Sequence, residues 1–153
     1  MTCIPVLVIL INLIYCLMEV NYVAIFVCAV LSMVVGGVWY GPLFGRKWME
    51  INGVNPDDVA RREAMQKGAG PLYGVQFVLS LLQLYVLSRF IGGGDSSVTN
   101  AFFIWLGFVM PTVAGLAMWN ALPGKTRLAM FFISAGYQLI LFALYGLILG
   151  MWR

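Results

Sequence analysis

Residues 36–49 read GGVWYGPLFGRKWM and follow a mostly apolar run that begins at Tyr22. This stretch decides the fold, because it reads as a membrane helix leaving the hydrocarbon layer. Trp39, Tyr40, Phe44 and Trp48 are amphipathic or bulky rings of the kind that settle at the membrane–water interface. Gly41-Pro42 ends or kinks a helix, because proline lacks the backbone N–H and crowds the preceding turn. Arg46 and Lys47 then meet the headgroups. A second reading stays open: glycine beside proline, between large rings, permits close backbone approach and hence a small pocket.

Composition agrees with the membrane reading. Apolar residues make up 62% of the 153 and charged residues 10%, against about 45–50% and about 25% in soluble domains. A bilayer core needs about 20 apolar helical residues, and four segments supply them, at about 22–44, 71–90, 98–122 and 128–151. None contains Asp, Glu, Lys or His, and Arg89 stands only at the end of the second. Barrel strands would instead alternate apolar and polar residues in runs of about 10. The expected fold is an all-α integral membrane protein, a four-transmembrane-helix bundle in one domain over residues 18–153. Residues 1–17, MTCIPVLVILINLIYCL, are apolar but lack a basic leader and a small-residue cleavage site. They are expected to be an extension upstream of a start at Met18, or an extra N-terminal helix.

Pro111 predicts a kink in the third segment. Three glycine pairs recur four apart, Gly37/Gly41, Gly70/Gly74 and Gly146/Gly150. Such spacing lets helices approach closely, within one bundle or across a dimer seam; packing within the bundle is the expectation. Between the second and first segments, NPDDVARREAMQKG at 55–68 predicts a short surface helix, with Asn55 as N-cap, Pro56 first and Gly68 as the stop. Seven basic residues lie within 45–70 and 123–127, against Arg89 and Arg153 on the other side. The positive-inside rule therefore places loops 45–70 and 123–127 in the cytoplasm.

The chemistry that can be read is sparse. Without histidine in the chain, no Ser-His or Cys-His nucleophile exists. Cys3, Cys16 and Cys28 show no metal-ligand spacing. The turn Gly92-Gly93-Gly94-Asp95 lacks the Lys-Ser/Thr of a phosphate loop. The net charge of +3 is too small and scattered for nucleic acid. No enzyme and no cofactor are expected. Polar side chains in the core are the remaining candidates. Gln76, Ser80 and Gln83 share one helical face, with Asn120 and Gln138 on other helices. They read either as interhelical hydrogen bonds or as a polar path for a small neutral or anionic solute.

The segment EVNYVAIFVCAVLSMVVGGVWYGPLFGRKWM, from residue 19, resembles the opening of the DUF1761 family of small bacterial membrane proteins. WLGFVMPTVAGLAMWNAL and FFISAGYQLILFALYGLILGMW resemble that family's last two helices. The resemblance runs over about 18–153. Its most specific parts are Trp39, Tyr40, Gly41 and Pro42 with the following Leu-Phe-Gly, and Ala135-Gly136-Tyr137. Histidine often follows that tyrosine in the family pattern; Gln138 stands there in this chain and offers no proton-transfer group. The resemblance implies a bacterial inner-membrane location and carries no activity. The expected function is a non-enzymatic membrane module, surrounded by lipid, that self-associates as a homo-oligomer or binds a membrane protein partner. The alternative is a small oligomeric transporter or channel.

The orientation can be tested directly. Lys67→Cys should react with a membrane-impermeant maleimide only from the cytoplasmic side, and Ser96→Cys only from the outside. The reverse pattern would invert the topology.

Overall fold

A computed structural model describes residues 20–91 and 96–152. The expected element at 1–17, the glycine turn at 92–95 and Arg153 lie outside the described residues. The described chain is helical, with no strand among its elements. Four helical stretches are long and apolar enough to cross a membrane: Tyr22–Leu43, Val59–Phe90, Ser97–Met118 and Gly124–Met151.

Helix α1 (Tyr22–Val38) starts at Asn21, whose Oδ1 accepts from the Ala24 N–H at 3.0 Å. The same side chain donates to the Trp152 carbonyl at 2.7 Å, tying the start of the first span to the end of the last. Pro42 has no N–H to continue the α-helical ladder. The chain answers with one π-helical turn, Trp39–Leu43, closed by the Phe44 N–H to the Trp39 carbonyl at 2.9 Å. It then re-enters helix α2 (Gly45–Ile51) so tightly that a Cβ on Gly45 would lie 2.6 Å from the Tyr40 carbonyl oxygen.

The second span corrects the expectation of a separate surface helix. Helix α3 (Val59–Phe90) runs unbroken for 32 residues through Gly68 and Pro71. Gly70 explains its continuity: the proline ring normally pushes the preceding residue out of the α region partly by striking its Cβ, and glycine has none. The N-cap is Asp58 rather than Asn55; its carboxylate accepts from the Arg61 N–H at 2.9 Å. Asn55 Oδ1 instead closes a turn onto the Asp57 N–H at 3.0 Å.

The third span comprises α4 (Ser97–Ile104), a π-helical turn Trp105–Val109, and α5 (Met110–Met118). The expected disturbance from Pro111 is therefore a register change in the preceding turn, and Thr112 Oγ1 donates to the Phe108 carbonyl at 2.6 Å. The span stops at Met118, four residues before the expected 122, and the Arg127 guanidinium satisfies the Met118 carbonyl at 2.9 Å. Helix α6 (Gly124–Met151) begins four residues before the expected 128, directly after Pro123.

α6 is the central helix and packs against α1, α4 and α5, whereas among the described residues α3 has α1 as its one extensive neighbour. The core where α1, α3, α4 and α6 meet includes Ala24, Cys28, Leu84, Leu87, Ala101, Phe142 and Tyr145. Outside it, large apolar side chains such as Phe26, Val34, Leu72, Val78 and Phe108 stand more than half exposed. So wide an apolar exterior is one that a bilayer would cover.

The glycine pairs divide. Gly146 lies deep in the α4 contact, where an added Cβ would come within 2.8 Å of the Val98 Cα. Gly37, Gly41, Gly70 and Gly74 have nothing within 4 Å of an added Cβ, so packing inside this bundle does not account for them.

Gly146→Ala should accordingly destabilise the bundle by about 1–3 kcal/mol through overpacking. Gly74→Ala in the same background should be neutral or stabilising by up to about 1 kcal/mol, from helix propensity alone. Unfolding in mixed micelles of increasing SDS fraction measures both.

Candidate functional site

The two most specific parts of the sequence, about a hundred residues apart, form one contact. Trp39 lies over Gly136, where a Cβ would meet its ring edge at 3.4 Å, and its indole N–H donates to the Ile133 carbonyl at 3.0 Å. Tyr137 reaches the other way. Its hydroxyl donates to the Ser32 carbonyl at 3.1 Å and sits 3.0 Å from where a Cβ on Gly36 would be. Two rings thus fill the space over two glycines, one on each helix. Tyr40 packs on Tyr137 with centroids 5.2 Å apart and on Trp48 at 5.0 Å, while Phe44 stacks on Trp39 at 4.6 Å. The stretch at 36–49 is therefore an α1–α6 clamp as well as a helix exit.

Above this clamp lies a small polar centre. Ser32 and Ser80 are buried, with their hydroxyl oxygens 3.5 Å apart across α1 and α3. Each also donates back to its own helix, Ser32 to the Ala29 carbonyl at 2.7 Å and Ser80 to the Gln76 carbonyl at 2.9 Å. Such back-bonding is how hydroxyls satisfy themselves in an apolar core. The Gln76 amide is exposed and touches Ser80 Oγ at 3.5 Å within its own helix. The Tyr145 hydroxyl is buried and faces Ser32, outside good hydrogen-bond geometry among the described residues. Among the same residues, Gln138 Oε1 and Trp105 Nε1 are buried without a partner.

The expected polar set is thus only partly assembled. Gln76 and Ser80 come together, and Ser32 joins them from α1. Gln83 lies elsewhere, as the one polar side chain among the described residues that line a groove of about 500 Å³ between α3 and the third span. One wall runs from Leu79 to Phe90 on α3, Ile104 and Phe108 form the other, and Phe142 of α6 is the floor. Asn120 stands at the far end of the molecule, near Met130 Sδ at 3.8 Å, and lines a separate hollow with Glu50, Asn52 and Thr126. Among the described residues, Asn120 and Ser80 share no hydrogen-bond partner. Tyr145 was the residue least visible in sequence; its only signal is a phenol seven residues beyond Gln138 on the same helical stripe.

Among the described residues, no three His, Cys, Asp or Glu side chains gather as a metal site would need. The ion pairs Arg46–Asp57 at 3.3 Å and Lys47–Glu50 at 2.9 Å lie on the exposed basic end. Exposed pairs of this kind contribute little to stability.

The family model described as "Protein of unknown function (DUF1761)" matches residues 23–150. The chain belongs to that family. The match contains both halves of the Trp39–Tyr137 clamp. No curated protein and no solved structure matches the chain.

Removing the clamp's hydrogen bonds should have modest, measurable effects. Tyr137→Phe should lower stability by about 0.5–1.5 kcal/mol. Trp39→Ala, which also empties the space over Gly136, should cost about 3–5 kcal/mol. SDS-titrated unfolding followed by circular dichroism reads both; equal effects would mean that the rings do not fill that space.

Proposed function

We propose that this DUF1761 chain is a non-enzymatic, multi-pass membrane module that associates with further copies of itself, with its basic loops on the cytoplasmic side. One observation carries the reading. Two glycine pairs on neighbouring helices, Gly37/Gly41 and Gly70/Gly74, lie toward the same basic end, and all four face open space. Small residues four apart are what close helix–helix approach in a bilayer requires, and here the monomer does not use them. α3 supports the reading further: among the described residues its extensive contacts are with α1, and Leu72, Tyr73, Val75 and Val78 on it stand exposed.

Residue chemistry supports a role without catalysis. The acids and lysines of the chain all fall outside the apolar runs, and histidine is absent. The polar centre at Ser32 and Ser80 bonds back to its own helices, as a packing element does.

The test is single-molecule photobleaching of labelled chain in liposomes at low protein-to-lipid ratio. The native chain should bleach in two or more steps. Gly37→Leu with Gly74→Leu should shift the population to single steps, lowering association at least tenfold. Leu72→Phe, on the opposite side of α3, should leave it unchanged. Single-step bleaching of the native chain would contradict self-association. Solute flux into the same liposomes, lost in Gln76→Ala, would favour transport instead.

A further inference from the structure

We infer that the groove between α5 and α6, at the basic end of the molecule, binds one anionic phospholipid, with the phosphate on the Arg127 guanidinium and an acyl chain along the groove. The groove holds about 430 Å³. Ala117 is its buried floor, and Met118 of α5 and Leu128 of α6 are its exposed rims. Ala114 and Phe131 are the lining residues farthest from the turn that joins the two helices. Arg127 is the one charged side chain among the described residues that line it.

Charge identifies the occupant. Arg127 is partly buried, and its Nη1 donates to the carbonyl of the rim residue Met118 at 2.9 Å, which holds the guanidinium against the groove wall. A guanidinium is permanently charged and carries more N–H donors than that bond uses. Among the described residues no carboxylate pairs with it; the ion pairs there join Arg46 to Asp57 and Lys47 to Glu50. A cation set against an apolar wall at the edge of a bilayer calls for a counter-charge, and phosphate takes guanidinium N–H groups two at a time. Trp119, next in the chain to Met118, stands 90% exposed. Such an amphipathic ring settles at headgroup level, so the charged end of the groove lies at the depth of lipid phosphates. A zwitterionic headgroup would bring its own ammonium, and no carboxylate lines the groove to receive it. A free phosphate would leave the apolar lining uncovered.

The length of the groove separates an acyl chain from a further helix. From Gly124 to Phe131 it follows α6, which at 1.5 Å per residue is about 10 Å. A second helix on this face would run the height of the hydrocarbon core, about 30 Å, and the groove would seat only about a third of it. The upper part of one acyl chain needs no more. The inference shares with the proposed function only the membrane setting. The open glycine pairs stand on α1 and α3 and this groove on α5 and α6, so either can fail without the other.

The experiment titrates the full chain, in dodecyl maltoside micelles, with phosphatidylglycerol or with phosphatidylethanolamine of the same acyl chains, and counts bound lipid by native mass spectrometry. The native chain should retain one phosphatidylglycerol about threefold or more over phosphatidylethanolamine. Arg127→Gln should lower phosphatidylglycerol retention about tenfold and abolish the preference. Arg61→Gln, which removes the same charge from the exposed start of α3, should change neither. Ala114→Leu, which leaves Arg127 in place and fills the groove, should lower retention about fivefold or more. Leu116→Trp, on the opposite side of α5, should not. Circular dichroism checks that each variant is folded, and the preference of the native chain stands as a test without any variant. Equal retention of the two lipids by the native chain, or Arg127→Gln matching Arg61→Gln, would overturn the anionic site. Full displacement of phosphatidylglycerol by inorganic phosphate would overturn the role of the acyl chain. Disulfide formation between two Leu128→Cys copies in phosphatidylglycerol liposomes would give the groove to a second copy instead.

Discussion

The rest of the structure depends on how closely α1 and α6 approach, and that distance is set by two rings resting on two glycines. Trp39 of the first span lies against Gly136, and Tyr137 of the last lies against Gly36. Each ring also spends its one polar atom on a backbone carbonyl of the opposite helix, at Ile133 and Ser32. A methyl group at Gly36 would lie 3.0 Å from the Tyr137 hydroxyl and crowd it, while one at Gly136 would come into contact with the Trp39 ring edge at 3.4 Å. At the far end of the same helix pair, Asn21 caps α1 and holds the Trp152 carbonyl. The pair is fastened at both ends, and α6 becomes the axis on which α4 and α5 pack.

α3 joins this pair from one side and the third span from the other, so the two flanking spans leave a groove over Phe142. The open glycines and the groove follow from one fact: the central pair is tight and the flanks are not. In the proposed bilayer, the glycine side of α3 would meet a second copy. The polar centre at Ser32 and Ser80 lies between α1 and α3, apart from the hollow around Asn120.

The helical class and the four spans were legible because long charge-free runs have few other physical outcomes. The ends of the spans were less so. Asp58 rather than Asn55 caps α3, and Pro71 remains inside it because glycine precedes it. Both outcomes depend on local competition that residue preferences rank only loosely. Gly37, Gly70 and Gly146 look alike in sequence, yet only Gly146 is packed, because the neighbour that decides comes from a distant segment. Trp39 and Tyr137 could be singled out by resemblance, but their meeting could not be, since about a hundred residues lie between them. Among the polar candidates, Gln76 and Ser80 touch within one helix, as a spacing of four residues allows. Spacing could not show that Gln83, another turn along, opens onto an apolar groove.

The most direct measurement of the central claim is a thermodynamic cycle on Gly36→Ala and Tyr137→Phe, read by unfolding in SDS-containing micelles. In the native background the added methyl would lie 3.0 Å from the Tyr137 hydroxyl, and its effect should be destabilising by about 1–3 kcal/mol. In the Tyr137→Phe background the oxygen is gone, and the same substitution should become nearly neutral, a coupling of about 1 kcal/mol or more. Strictly additive effects would mean that Tyr137 does not rest on Gly36, and the clamp between the first and last spans would not exist.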